Sequence, residues 1–225
     1  MNVAVDRTRP WPLEIGLLHV ISITRKRRAK FVQRCVANNI NVARDIQLCE
    51  GVNGNDIQRG DYIVNSWSNS LSRGQIGCWL SHKALWLKQV QENIPYMLIA
   101  EDDTVVVNTA ETRASIARSF DWLQTNRENQ WDALFVTRSN LKKFNKKMVS
   151  HQLAIPGEFW GLNCYLLSWR GALKLLKDPR SQVLDLPVDV VVARMARTPN
   201  QLDSFCCTPC VFRIQKETSS TNGII

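Results

Sequence analysis

The chain lacks any apolar run long enough to cross a bilayer. Its most apolar early stretch, "LEIGLLHVISI", is interrupted by Glu14 and His19, and no window reaches about eighteen uninterrupted apolar residues. No small-residue cleavage site follows that stretch, so a secretory signal is not expected either. Histidine is scarce: there are three, and none lies beyond His151. The seven cysteines have no paired spacing. Cys206, Cys207 and Cys210 form "CCTPC", but a zinc frame needs a second pair and none follows. They read as thiols in a reducing compartment, which makes the cytoplasm the expected location. There is no internal repeat, and no zinc finger or ribonucleoprotein motif, so nucleic acid is not an expected partner.

What is present describes one globular domain. Apolar residues make up 44% of 225 positions, enough for a real core. No domain boundary stands out, so the expectation is a single domain over residues 1–225, loosely ordered at 1–14 and 216–225. Formal net charge is +9, with basic runs at Arg25–Arg28 ("RKRR") and Lys142–Lys147 ("KKFNKK"). Such runs form solvated charged faces. They also suit an anionic lipid surface at the inner face of a membrane, or a phosphate-bearing acceptor.

Pattern gives the elements. "LLHVISI" reads as a buried strand. A helix follows, with Phe31, Cys35 and Asn38 at helical spacing, then a weaker strand over "ARDIQLCE" closed by the turn "GVNG". That order opens an α/β fold. Ser72 and Gln75 form a capping box at the start of a helix running to about Glu92. Leu80, Ala84 and Leu87 make its apolar stripe, widened by Trp79, Trp86 and Val90. "YMLIA" reads as a strand buried on both faces. Further on lie a helix near 115–125, strands "DALFVT" and "NCYLLS", helices over 170–177 and 187–197, and a last strand "TPCVFRIQ". A variable loop is expected over 139–158.

"MLIAEDD" carries the chemistry. In open α/β sheets ligands bind beyond the carboxyl ends of strands, and Glu101, Asp102 and Asp103 stand at such an end. Three adjacent carboxylates repel one another, and burying them unpaired is costly. A hard divalent ion, Mn²⁺ or Mg²⁺, removes the conflict and keeps positions open for phosphate oxygens. Extended backbone puts Glu101 and Asp103 on one side as metal ligands. Asp102 then faces a ribose, or joins the ion where the strand bends. Gly74 and Gly77 allow a helix start to approach the sheet or a ligand closely. Arg25 or Arg28, just past the first strand, is placed to reach a nucleotide.

"GQIGCWLSHKALW" at 74–86, "LIAEDD" at 98–103, "GLNCYLLSWRGALKLL" at 161–176 and "LPVD" at 186–189, in this order, resemble glycosyltransferase family 25. The family includes bacterial lipooligosaccharide galactosyltransferases and animal collagen galactosyltransferases. The resemblance runs from about Leu18 to Val192. It implies a GT-A-like nucleotide-sugar-binding fold, with a mixed, mostly parallel central sheet flanked by helices. It also implies a UDP-sugar donor, typically UDP-galactose, a glycan or lipid-linked oligosaccharide acceptor, Mn²⁺, and inversion at the anomeric carbon. Glu101, Asp102 and Asp103 carry over as the metal and donor site. Ser81 and His82 match the family's "S-H", which favours a donor-pocket role over a purely structural one that pins the helix to a neighbouring loop.

Inverting transfer needs a base for the acceptor hydroxyl. Asp189 matches the family's "P-x-D" and is the first candidate. Its alternative role is a charge at a helix start, and Asp185 is second. Trp160, Gly161 and Tyr165 are candidates to shape a sugar pocket. The chain departs from the family pattern at Asn53, Gln75 and Ala100, where Asp, Glu and Leu are usual. With no late histidine, Asp203 or a water is the expected substitute in the metal shell. Two other readings compete with the enzyme: a catalytically weak nucleotide-sugar- or carbohydrate-binding protein of the same fold, and a basic scaffold.

Overall fold

A computed structural model describes residues 11–58, 71–128, 130–137, 147–208 and 210–215. In chain order the elements are β1 (Leu18–Ser22), α1 (Arg25–Ala37), α2 (Val42–Asp45), β2 (Ile46–Glu50), α3 (Arg73–Gln91), β3 (Tyr96–Glu101) and β4 (Thr104–Val105). They continue with α4 (Ala110–Asn126), β5 (Ala133–Phe135), β6 (Leu153–Ala154), β7 (Cys164–Ser168), α5 (Trp169–Lys177), α6 (Val188–Arg197), β8 (Ser204–Cys207) and β9 (Arg213–Ile214).

Seven strands form one sheet in the order β2-β1-β3-β7-β5-β8-β6, and β4 pairs with β9 apart from it. The pairings β1–β2, β1–β3 and β5–β8 are parallel. The pairings β3–β7, β5–β7 and β6–β8 are antiparallel. Five strands therefore share a direction, yet half the ladders are antiparallel. The expectation of a mostly parallel sheet holds for strand direction and fails for pairing, because β7 runs backwards between β3 and β5.

Alternation along β3 decides what each face buries. Met97 and Ile99 join Trp79, Trp86, Leu167, Leu175 and Val191 in a core under α3, α5 and α6. Leu98 and Ala100 join Phe31, Cys35, Phe120 and Leu123 in a second core under α1 and α4. Each Leu, Ile, Val, Phe or Met among them contributes about 1.5–3 kcal/mol when fully buried.

Several sequence expectations shift. In α3, Ala84 and Leu87 are exposed, while Gly77, Ser81, His82 and Gln89 are buried with Trp79, Leu80, Leu85 and Trp86. The buried face includes polar residues that have partners inside, so a stripe drawn through apolar letters alone comes out rotated. "ARDIQLCE" splits, and a short helix capped by Asn41 precedes β2. The expected last strand is mainly β8, a few residues earlier, with only Arg213 and Ile214 pairing later. Within the expected loop over 139–158, Leu153–Ala154 form an edge strand against β8. Trp11, assigned to a loose stretch, is 3% exposed and donates its indole N–H to the Gly16 carbonyl at 2.8 Å. Cys206 and Cys207 are core residues of β8. Of the basic run at 142–147, only Lys147 falls among the described residues. No helix among these residues is long and apolar enough to cross a membrane.

Candidate active site at the carboxyl end of β3

The pairing of Ile21 with Glu101 across β1 and β3 aligns the ends of the two strands. Ser22 thus comes beside Asp102, and its hydroxyl donates to Oδ2 at 2.7 Å. Thr24 caps α1 by accepting from the Arg27 N–H at 3.2 Å. The helix start this fixes brings the Arg27 guanidinium onto Asp102 Oδ1, and Arg34, two turns on, donates to the Asp102 carbonyl. Asp102 is 4% exposed and its charge is met. Of the two expected nucleotide contacts, Arg25 is exposed at the first position of α1, and it is Arg27 and Arg34 that reach the acidic cluster. Arg28 donates to the Ser22 carbonyl at 3.5 Å.

Glu101 faces the other way, toward α3. Cys78 and His82, one turn apart on that helix, both meet its Oε1: the thiol at 3.8 Å, His82 Nε2 at 3.3 Å. The opposite ring nitrogen, Nδ1, lies 2.9 Å from the Tyr165 hydroxyl, which also accepts from Trp86 Nε1 at 2.9 Å. An indole can only donate and a carboxylate can only accept. One arrangement therefore satisfies every group: Tyr165 donates to Nδ1, and Nε2 carries the proton toward Glu101. Burial alone would raise the Glu101 carboxyl; His82 and the Arg27 charge outweigh it and hold the group below its ordinary value. Burial, with Glu101 and Asp189 nearby, pushes the Cys78 thiol well up.

Asp103 departs from the expected geometry. Extended backbone would have returned it to the Glu101 side, but β3 ends at Glu101 and the chain turns before β4. Asp103 instead shares with Asp102 a recess of about 10 Å³ lined by Arg27, Lys30 and Arg34, room for about one water or ion. Its carboxyl accepts from Asn163 Nδ2 at 3.2 and 3.4 Å. Burial and the Glu101 charge raise it to about 6 despite that hydrogen bond. Asn163 Oδ1, beside it, is buried without a hydrogen-bond partner.

Asp189 sits at the second position of α6, where no side chain caps the helix. Its Oδ1 accepts from the Val190 N–H at 2.9 Å, and its Oδ2 from the Gly161 N–H at 2.8 Å. Gly161 adopts φ +80°, a left-handed turn suited to glycine, and so presents that N–H. Asp189 and Glu101 line one cavity of about 240 Å³ with Gln75, Cys78, Gly161, Leu162 and Pro187.

The remaining candidates lie apart. Asp185 is exposed and does not line this cavity. Ser81 accepts from the Val52 N–H at 2.8 Å and donates to the Gly77 carbonyl at 2.7 Å, pinning α3 to the 52–56 turn. Gly77 and Gly54 make that approach possible: a Cβ on Gly77 would lie 2.4 Å from the Val52 carbonyl oxygen, and one on Gly54 1.6 Å from the Arg73 carbonyl oxygen. Gly74 meets no such obstacle. Tyr165 is buried beneath His82, whereas Trp160 is 55% exposed. Asp203 lies beside Asp132 at the opposite edge of the sheet, so it is not positioned to fill a metal shell here. Arg27, Arg34, Ser22, Cys78 and Asn163 were missed as contacts, although Cys78 and Asn163 fall inside the motif stretches.

With this geometry in view, similarity to known proteins fixes the class. Residues 17–192 match the profile "Glycosyltransferase family 25 (LPS biosynthesis protein)". The chain belongs to glycosyltransferase family 25. It is 27% identical over 203 residues to a glycosyltransferase 25 family member of Aedes aegypti, covering 84% of this chain and 32% of that protein. It is 24% identical over 198 residues to procollagen galactosyltransferase 2 of Mus musculus, covering 80% and 30%. It is 30% identical over 138 residues to the lipooligosaccharide biosynthesis protein lex-1 of Haemophilus influenzae, covering 56% and 42%. The chain thus spans about a third to two fifths of the length of these relatives.

Proposed function

We propose that this chain transfers a hexose, galactose first among candidates, from a UDP-sugar to a hydroxyl of a glycan or lipooligosaccharide acceptor with inversion. The observation that carries the reading is the cavity between Glu101 and Asp189, two carboxylates from different elements at the carboxyl edge of the sheet. Names among the relatives support galactose and a glycan acceptor.

The reading assigns a hard divalent cation to the recess beside it, where Asp102 and Asp103 face Arg27, Lys30 and Arg34. Asp102 is already neutralised, Asp103 is under-compensated, and Asn163 Oδ1 is a buried oxygen without a partner. Asp103 and Asn163 Oδ1 would hold Mn²⁺ or Mg²⁺, leaving the remaining positions to water and phosphate oxygens. When bound, such an ion supplies positive charge for the departing diphosphate. Arg27, Lys30 and Arg34 line the same recess and add to that charge.

Asp189 is the assigned base. Two backbone N–H groups fix its orientation and occupy only part of its acceptor capacity. It takes the proton of the acceptor hydroxyl as that oxygen attacks the anomeric carbon, and the bond to the UDP oxygen breaks on the opposite face. His82, Tyr165 and Trp86 hold Glu101 in place from beneath.

The test is a panel of UDP-sugars with a glycan acceptor, with and without Mn²⁺, reading product anomer and rate. Turnover of one UDP-hexose to the inverted product supports the reading. UDP stabilisation that is equal with metal and with excess chelator, together with no turnover, refutes it. A peripheral position on an anionic membrane surface is a further part of the proposal, and a vesicle sedimentation assay at rising salt tests it.

A further inference from the structure

Three ligand-capable atoms converge where the transfer reading uses only one of them. Cys78 Sγ, His82 Nε2 and a Glu101 carboxylate oxygen all lie within 4.8 Å of one another. The measured sides are 3.3 Å from nitrogen to oxygen and 3.8 Å from sulfur to oxygen. Zinc–ligand bonds of about 2.3 Å to sulfur and about 2.0–2.2 Å to nitrogen or oxygen give tetrahedral edges of roughly 3.3–3.7 Å. The nitrogen–oxygen edge matches that range, the sulfur–oxygen edge lies just above it, and the sulfur–nitrogen edge is within 4.8 Å, so small side-chain shifts would close the cluster on an ion. We propose that Cys78, His82 and Glu101 form a site for a thiophilic divalent cation of the zinc class, with its fourth position open to the cavity that Asp189 also lines.

Local structure explains the convergence. Cys78 and His82 are four residues apart on α3, so their side chains stack on one face. Glu101 comes to the same face because it follows Met97 and Ile99 in the alternation of β3. A second-shell partner is within reach: a metal-bound histidine almost always donates its other ring N–H to a fixed acceptor, and Tyr165 Oη, 2.9 Å from Nδ1, takes that role once its own hydroxyl hydrogen turns away from the ring. On binding, the Cys78 thiol gives its proton to solvent. The imidazole stays neutral, its proton moving from Nε2 to Nδ1. The cavity of about 240 Å³ supplies an entry path and space for a water as fourth ligand.

The donor set separates this site from the recess at Asp103. Sulfur and imidazole select zinc and cobalt over Mg²⁺ and Mn²⁺, whereas the oxygen-only recess does the reverse. Where the chain transfers sugar as proposed above, zinc draws Glu101 away from the donor side and inhibits. That consequence rests on the transfer reading; the binding site does not.

Cobalt(II) titration of the full chain, without any sugar nucleotide, tests the site. The expected result is one equivalent bound with a thiolate-to-cobalt charge-transfer band and tetrahedral visible bands, all displaced by zinc. Cys78→Ser should lose the charge-transfer band and bind at least tenfold more weakly, while Cys49→Ser keeps both. A band that survives in Cys78→Ser, or no band in the wild type, overturns the proposal. Should Cys78→Ser fail to fold, wild-type protein alkylated with and without zinc and mapped by mass spectrometry decides instead. Protection of Cys78 supports the site, and equal labelling overturns it.

Discussion

Asp103 and Asp132 are both withdrawn from water, at opposite edges of one sheet, and their surroundings differ. Asp132 precedes β5 and is 0% exposed. Arg170 Nε donates to its Oδ1 at 2.7 Å; Lys174 Nζ and the Asp203 N–H each donate to its Oδ2 at 2.6 Å. Its carbonyl accepts from the Ser168 N–H at 2.9 Å. Every partner belongs to the fold, so the residue ties β5, β8 and α5 together. Asp103, beyond β3, has one amide donor, the Arg27 charge nearby but no ion pair to it among the described residues, and a repelling neighbour in Glu101. A carboxylate with all its needs met internally is a structural tie. One held short of partners has room for a ligand's charge. The difference separates the two edges of the sheet into one that stabilises and one to which the proposed function assigns binding.

The largest expected effect lies at the binding edge. Asp189→Asn should lower the transfer rate by at least about a hundredfold, within the roughly 10²–10⁴-fold that a positioned base contributes. UDP affinity and melting temperature should stay close to wild type, measured on the same preparation. A near-normal rate in a less stable Asp189→Asn protein would leave Asp189 as a loop tie between Gly161 and α6, and the comparison would lose its catalytic half.

Asp132→Ala should do the opposite: a loss of about 3 kcal/mol in urea unfolding, as expected when one partner of a buried ion pair is removed, with the rate per folded molecule retained. Loss of activity without loss of stability would erase the distinction between the edges.

The glycines of α3 sharpen the contrast on a smaller scale. Gly77→Ala forces a Cβ against the Val52 carbonyl oxygen and should cost about 1–3 kcal/mol. Gly74→Ala meets nothing closer than Ser72 Oγ at 4.0 Å, an ordinary contact, and should stabilise the helix by up to about 1 kcal/mol. Thermal melts of the pair check both signs.

The smallest effect is a pH dependence. Folding raises the Asp103 carboxyl from 3.8 to about 6. Between those values the folded state holds a proton that the unfolded chain has released, so this group makes stability fall as pH rises from about 4 to about 6. Asp103→Asn removes the penalty. In the absence of metal it should match wild type below pH 4 and exceed it by about 1 kcal/mol above pH 6, a gain limited by water screening of the half-buried side chain. A gap that widens toward acid would show the sign to be wrong. The same variant should lose metal-dependent UDP binding, which makes it more stable and less functional at once.

The sequence by itself determined the local features. The capping box of Ser72 and Gln75 needs only four consecutive residues, and both of its bonds form. The buried run of β3, its acidic end and the order of the four motif stretches are likewise properties of chain neighbours, and they placed the chain in its family. Only the tertiary structure decided which charges meet. Arg27 reaches Asp102 across 75 positions and Asp189 reaches Gly161 across 28. Cys78, His82 and Glu101 converge because β3 packs beneath α3. It also decided where alternation stops, since the turn after Glu101 moved Asp103 to the Arg27 side, and which face of α3 is buried, since His82 and Gln89 find their partners inside. Periodicity reports backbone geometry within one element. Whether a polar side chain is satisfied depends on groups brought up from other elements, and those contacts exist only in the packed fold.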